Sequence, residues 1–169
     1  MKRVLVDVNV VLDVLLARAP HAAASTACLA AIEARRVEGF LSGHAVTTLA
    51  YLVGRARGRA EARKVVQDLC ALFSIAPVGA AVLQRAMVLP LDDFEDAVTA
   101  AAAEAAGCEA ILTRDASGFG DSPVPGVEPQ LWLALLEEGA KDSSGSEVHE
   151  PQAQGFPRRK VGARRRRPG

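Results

Sequence analysis

Aromatic residues are scarce: one Trp, one Tyr and five Phe in 169 residues. A core with so few rings has to be filled by aliphatic side chains. Alanine does much of that filling, which favours close-packed helices. Cysteine is scarce too. Cys28, Cys70 and Cys108 are odd in number and none stands at metal-ligand spacing from another, so neither a disulfide framework nor a thiolate metal site is expected. They read as small buried apolar side chains in a reducing compartment. No apolar run approaches the ~18 residues of a membrane helix. The charge of Asp7 interrupts the apolar start MKRVLVDVNV, which argues against a secretory leader. A cytoplasmic protein with no membrane partner is therefore the expectation. A Cys/His cluster, a P-loop and a glycine-rich phosphate cradle are also missing.

Charge is balanced only in sum. Residues 1–139 hold 12 Lys+Arg against 17 Asp+Glu, whereas residues 140–169 hold 8 against 3. The body is thus acidic and the tail basic. The composition also changes at about residue 140, where apolar residues thin out and Ser, Gly, Pro and charge take over. The expectation is one domain over 1–139 followed by a disordered basic tail over 140–169. A run of four arginines, Arg164 to Arg167, offers non-specific RNA affinity or no specific role.

Within the body, short apolar strands alternate with helices. VLVD (4–7), GFLS (39–42), SIAPV (74–78), EAILTRD (109–115) and a stretch near 124–127 read as strands. Helices are expected over about 10–18, 21–36, 45–57, 60–72, 80–89, 92–107 and 129–138. The strands lack a period-2 pattern, as expected when both faces are covered. This predicts an α/β fold, a three-layer α/β/α sandwich around a short parallel sheet.

In such sheets, sites form beyond the carboxyl ends of the strands. Two strands end in acid, at Asp7 and Asp115. A third acidic group, Asp92, Asp93, Glu95 and Asp96, opens the helix before the second of these strands. Two like charges ~4 Å apart repel by about 4 kcal/mol at an effective dielectric of 20. If Asp7, Asp96 and Asp115 converge, they need a cation or must hold protons. Oxygen ligands select Mg²⁺ or Mn²⁺, and such a metal suits phosphodiester hydrolysis. Each residue also has a plainer reading. Asn9 serves either as a helix N-cap or as a residue orienting Asp7. Asp96 has the spacing of a capping residue, and Asp115 that of a turn former before Ala-Ser-Gly. Asp13 reads as a solvated helix acid. His21 and His44 are lone histidines near helix starts, and neither is favoured for catalysis.

Three stretches, VLVDVNVVLDVLL, GFLSGHAVTTLAYLV and DDFEDAVTAAAAEAAGCEAILTRDASGF, together resemble PIN-domain proteins of the VapC toxin type. The resemblance covers roughly residues 3–136. It implies a metal-dependent ribonuclease using Mg²⁺ or Mn²⁺, with Asp7, Asp96 and Asp115 as the metal-binding acids. Asn9 fits the accompanying polar position and Thr113 the small hydroxyl residue before the last acid. It further implies an RNA substrate, a small antitoxin partner and a homodimer. One departure stands out. Where many members carry a Glu on the helix after the second strand, this chain has Thr48, and no acid occurs between Glu38 and Glu61.

The run Arg55, Arg57, Arg59, Arg63 and Lys64, with Arg114, is read either as phosphate-holding or, for the run, as a solvated helix edge. Two other function classes remain open. One is a PIN-fold interaction module that binds without cutting, motivated by the lost acid. The other is a phosphatase with Asp7 as nucleophile, which wants a second Asp where Asn9 stands.

Overall fold

The structure, a computed structural model, describes residues 2–144. Five parallel strands form one sheet in the order β3-β2-β1-β4-β5: β1 (Arg3–Val6), β2 (Glu38–Ser42), β3 (Ser74–Ala76), β4 (Ala110–Leu112) and β5 (Gly126–Val127). The helices are α1 (Val8–Leu15), α2 (Ala22–Glu33), α3 (Gly43–Arg57), α4 (Arg59–Leu72), α5 (Ala80–Ala86), α6 (Phe94–Ala105) and α7 (Pro129–Ser144). A 3₁₀ turn covers Ala116–Phe119. No described helix is long and apolar enough to cross a membrane.

Alternate residues of a strand face opposite sides, and the two central strands feed a core on each side. Val4 and Val6 of β1, with Ala110 and Leu112 of β4, pack against α1, α2, α3, α4 and α7. Leu5 and Ile111, between them, pack against α5 and α6. The three expected layers are therefore present. Both faces being covered explains why the strands show no alternation.

Most differences from the expected elements are shifts at their ends. The N-cap of α1 is Asp7 rather than Asn9, with Asp7 in extended geometry (φ −74°, ψ 153°). The chain turns from strand to helix at the carboxylate itself. Helix α6 begins at Phe94 and is capped by Asp93, whose side chain accepts from the Glu95 and Asp96 amides. Its residues Ala97 to Ala103 are all buried, so alanine lets the helix sink between neighbours on every side. Phe94 and Ala105, at the two ends of the helix, are exposed. Helix α7 runs to Ser144, so residues 140–144 continue the helix and do not belong to the expected tail. The remainder of that tail, with Arg164 to Arg167, lies outside the described residues.

Two sequence readings are overturned by burial. Asp13 is 0% exposed rather than solvated. Cys28 and Cys108 are buried as expected, with thiols pushed up to about 12 by burial, but Cys70 is exposed.

Candidate active site

In a parallel sheet each returning helix runs against the strands, so its first turn starts at the strands' carboxyl rim. Strands β1 and β2 pass directly into α1 and α3, and α6 returns to feed β4. One rim therefore collects Asp7 from the end of β1, Ser42 and His44 from the β2–α3 junction, the acidic start of α6, and residues 113–115 after β4. Three helix N-termini open there, and their amide dipoles favour negative charge.

Asp7 is the centre of a hydrogen-bond network. Its Oδ2 accepts from Asn9 Nδ2 at 2.6 Å and from Thr113 Oγ1 at 2.8 Å. Asn9 Nδ2 also reaches Thr113 Oγ1 at 3.2 Å, and Asn9 Oδ1 accepts from the Arg114 amide at 3.2 Å. Thr113, fully buried, accepts from the Asp115 amide through the same hydroxyl. Asn9 and Thr113, from the exits of β1 and β4, thus fix one carboxylate and the direction of the next. Burial raises the pKa of Asp7, against the lowering effect of the Thr113 bond.

Asp115 is exposed and held differently. Its Oδ1 accepts from Ser117 Oγ at 2.6 Å and from the Gly118 amide at 3.2 Å. These bonds hold its pKa below the usual value. Its other oxygen looks across Gly118 towards Asp96. A Cβ on Gly118 would stand 3.0 Å from Asp96 Oδ2 and 3.5 Å from Asp115 Oδ2. Asp96 carries the electrostatic strain of the rim. Its pKa is pushed up to about 6, first by burial and then by the charges of Asp7, Asp93, Asp115 and Glu95.

The structure therefore brings Asp7, Asn9, Asp96, Thr113 and Asp115 to one rim. Among the described residues, no three His, Cys, Asp or Glu side chains stand close enough to form a preassembled metal cage. Electrostatic coupling and ligating distance are different criteria, and the acids meet only the first as they stand. The donor chemistry still fits a hard divalent cation. It offers carboxylate oxygens with no lysine or arginine among the causes of their shifts, and Gly118 leaves the approach between two of them open.

His44 was set aside from sequence, and it belongs here. Its Nδ1 is 3.0 Å from Ser42 Oγ, and its Nε2 is 3.5 Å from Glu95 Oε1. It lowers the pKa of Asp7 through its charge. The Ser-Gly-His spacing at the end of a strand was the only sequence signal, and it is a weak one. Thr48 lies one turn further along α3, partly buried.

Arg114 does not project as a free phosphate ligand. Its guanidinium lies 3.3 Å from Oδ1 of buried Asp13. That oxygen has no aligned hydrogen bond, so the contact is ionic attraction without good donor geometry. Ser25 Oγ donates to Asp13 Oδ2 at 3.3 Å. Arg57 is likewise engaged, donating to the Leu15 carbonyl at 2.7 Å.

A family model described as PIN domain matches residues 3–117. The chain belongs to the PIN domain family. No curated protein sequence matches it significantly. Solved structures similar to this PIN domain include VapBC2 from Rickettsia felis bound to a promoter DNA fragment, at 12% identity and a TM-score of 0.60, covering 75% of this chain and 98% of that one. FitAcB from Neisseria gonorrhoeae is similar at 21% identity and a TM-score of 0.60, over 75% and 98% of the two chains. Mycobacterium tuberculosis VapC20, a sarcin-ricin loop cleaving toxin, is similar at 18% identity and a TM-score of 0.55, over 72% and 98%. These likenesses show that the PIN domain shares their fold.

Proposed function

We propose that this PIN domain is a Mg²⁺- or Mn²⁺-dependent endoribonuclease, the toxin of a toxin-antitoxin pair. One observation carries the reading. Asp96 is pushed up to about 6, first by burial and then by the charges of Asp7, Asp93, Asp115 and Glu95, at a rim that has oxygen donors and an open approach. Such an arrangement is costly unless a cation relieves it. The similar toxin-antitoxin structures and the sarcin-ricin loop cleaving relative support the substrate class and the antitoxin partner. A homodimer is part of the same proposal.

Asp7, Asp96 and Asp115 would hold the metal. When bound, it supplies an activated water and neutralises charge on the phosphate. The rest falls to the chain. Asn9 and Thr113 hold Oδ2 of Asp7 in one orientation. Ser117 and the Gly118 amide do the same for Asp115. Both acids are thereby aimed, which a loosely hinged carboxylate would not be.

The test is RNA cleavage by purified protein with Mn²⁺, with Mg²⁺ and with chelator, alongside Asp7→Asn and Asp96→Asn. Metal-dependent cutting abolished by both substitutions is expected. Cutting that survives either one removes that acid from the site. Gly118→Ala puts a methyl group between two of the oxygens and is expected to weaken Mn²⁺ binding by about 10-fold. The second reading, a partner-binding module without catalysis, is favoured by Thr48 in place of an acid and by the lack of a preassembled cage. It predicts no Mn²⁺ binding in a calorimetric titration.

A further inference from the structure

Helix α3 leaves the acidic rim with a face that the site does not use. His44, Thr48, Tyr51 and Arg55 are spaced i, i+4, i+7 and i+11, which places them on one stripe. The buried positions Ala45, Leu49 and Val53 lie on another side of the helix. The stripe is about 16 Å long at 1.5 Å per residue. It begins beside Asp7 and ends at a cleft of about 450 Å³ between α3 and α4, lined by Tyr51, Gly54, Arg55, Arg59 and Arg63 among others.

The cleft's chemistry is uniform. Tyr51 is the chain's only tyrosine and is 61% exposed. Arg55 lies over its ring, 5.9 Å from the centroid, and donates to its hydroxyl at 3.2 Å. The ring is thus held in place with its outer face open. Arg59 and Arg63 are one turn apart on α4 and both exposed. Helix α3 contains no acid, and the acids of α4, Glu61 and Asp68, project roughly from the opposite side of that helix at about 100° per residue. Three arginines and one aromatic ring therefore line a single cleft on a molecule whose body is acidic overall.

We propose that this α3–α4 cleft binds single-stranded RNA, with Arg55, Arg59 and Arg63 on backbone phosphates and a base stacked on Tyr51. The His44–Arg55 stripe guides the strand towards the carboxylates, a direction that rests on the nuclease reading. Arginine provides planar, paired donors for phosphate oxygens. An aromatic face takes any base, so the surface confers affinity and path rather than sequence choice.

The experiment separates binding from cutting. Fluorescence anisotropy of a short fluorescein-labelled oligouridine is measured in chelator over a salt series. The proteins are wild type, Tyr51→Ala, Tyr51→Phe, the triple variant Arg55→Gln/Arg59→Gln/Arg63→Gln, and a control, Lys2→Gln/Arg35→Gln/Arg36→Gln, which removes the same three charges elsewhere. Thermal melts check folding, and Mn²⁺-dependent cleavage is read in parallel. Tyr51→Ala is expected to bind about 10-fold more weakly, with Tyr51→Phe close to wild type. The triple variant is expected to flatten the slope of log K against log salt by about 2, at roughly 0.7 per phosphate contact on a single strand. Unchanged binding in the triple variant overturns the cleft, even if wild type cuts. An equal loss in the control overturns it too, because only net charge would then matter. Tighter binding to a duplex of the same length overturns the single-strand class. Wild type that binds through these residues and never cuts keeps the cleft and overturns the nuclease reading.

Discussion

Asp96 sets the pH behaviour of the site. Its carboxyl is pushed up to about 6 in the fold, against 3.8 unperturbed. The folded chain thus holds a proton that the unfolded chain releases. Stability contributed by this group is intact below about pH 3.8, falls as pH rises, and is fully lost above about 6. With chelator present, Asp96→Asn is therefore expected to melt higher than wild type at pH 7.5 and equally near pH 4. Asp96 is partly exposed, so solvent screening limits the gain to about 1 kcal/mol. A gain of the same size at both pH values would show that the neighbouring charges are not its source. The same group makes divalent binding weaken below pH 6, since metal must displace the proton. The position of Asp7 and Asp115 at the rim was legible because an apolar run ending in acid is conspicuous. Asp96 was less legible, since its spacing alone also fits a cap. His44 was missed because its partners, Glu95 and Asp7, lie far from it in sequence.

The exit of β4 is fastened to the helices on the first core's side. Arg114, between Thr113 and Asp115, reaches Asp13 of α1, which Ser25 of α2 also holds. A buried pair adds little when complete, but removing one partner costs about 3–5 kcal/mol because the other is stranded. The two halves differ here. The Asp13 side chain is 0% exposed and that of Arg114 is 32% exposed. An abandoned arginine swings to water, whereas an abandoned Asp13 cannot. Arg114→Ala is therefore expected to cost more than Asp13→Ala, about 5 against about 3 kcal/mol in urea unfolding. Losses below 1 kcal/mol in both would show that the 3.3 Å contact carries no stability. This element-level tie was illegible. Asp13 looks like a surface acid because it is flanked by apolar residues at helical spacing on a helix buried nearly all round. Strand and helix order was legible throughout, because glycine and apolar length mark it. Helix starts were less so, because Asp7 and Ser42 serve as strand ends and caps at once.

Across the whole molecule, two cores share one sheet, and the rim chemistry draws on both. Asp7 follows a strand packed on each side, whereas Asp96 rides on α6 in the second core. The first core is closed by α7, where Trp132 is buried against it and the Pro129 carbonyl accepts from Cys28 Sγ at 3.6 Å. None of the hydrogen bonds that fix Asp7 or Asp115 involves α7. Stability and site geometry are thus separable at this helix. Trp132→Ala removes the chain's only tryptophan and is expected to cost about 3–5 kcal/mol. That is a large share of the roughly 5–15 kcal/mol of a typical domain. At about 2–4 °C per kcal/mol, Tm falls by around 10 °C. RNA cleavage per folded molecule, measured well below the new Tm, is expected to stay at the wild-type rate. A rate that falls while the protein remains folded would mean that the first core transmits strain to the rim through β1. Trp132→Phe then decides between the two: if packing volume alone is at stake, it recovers most of the lost Tm and changes no rate.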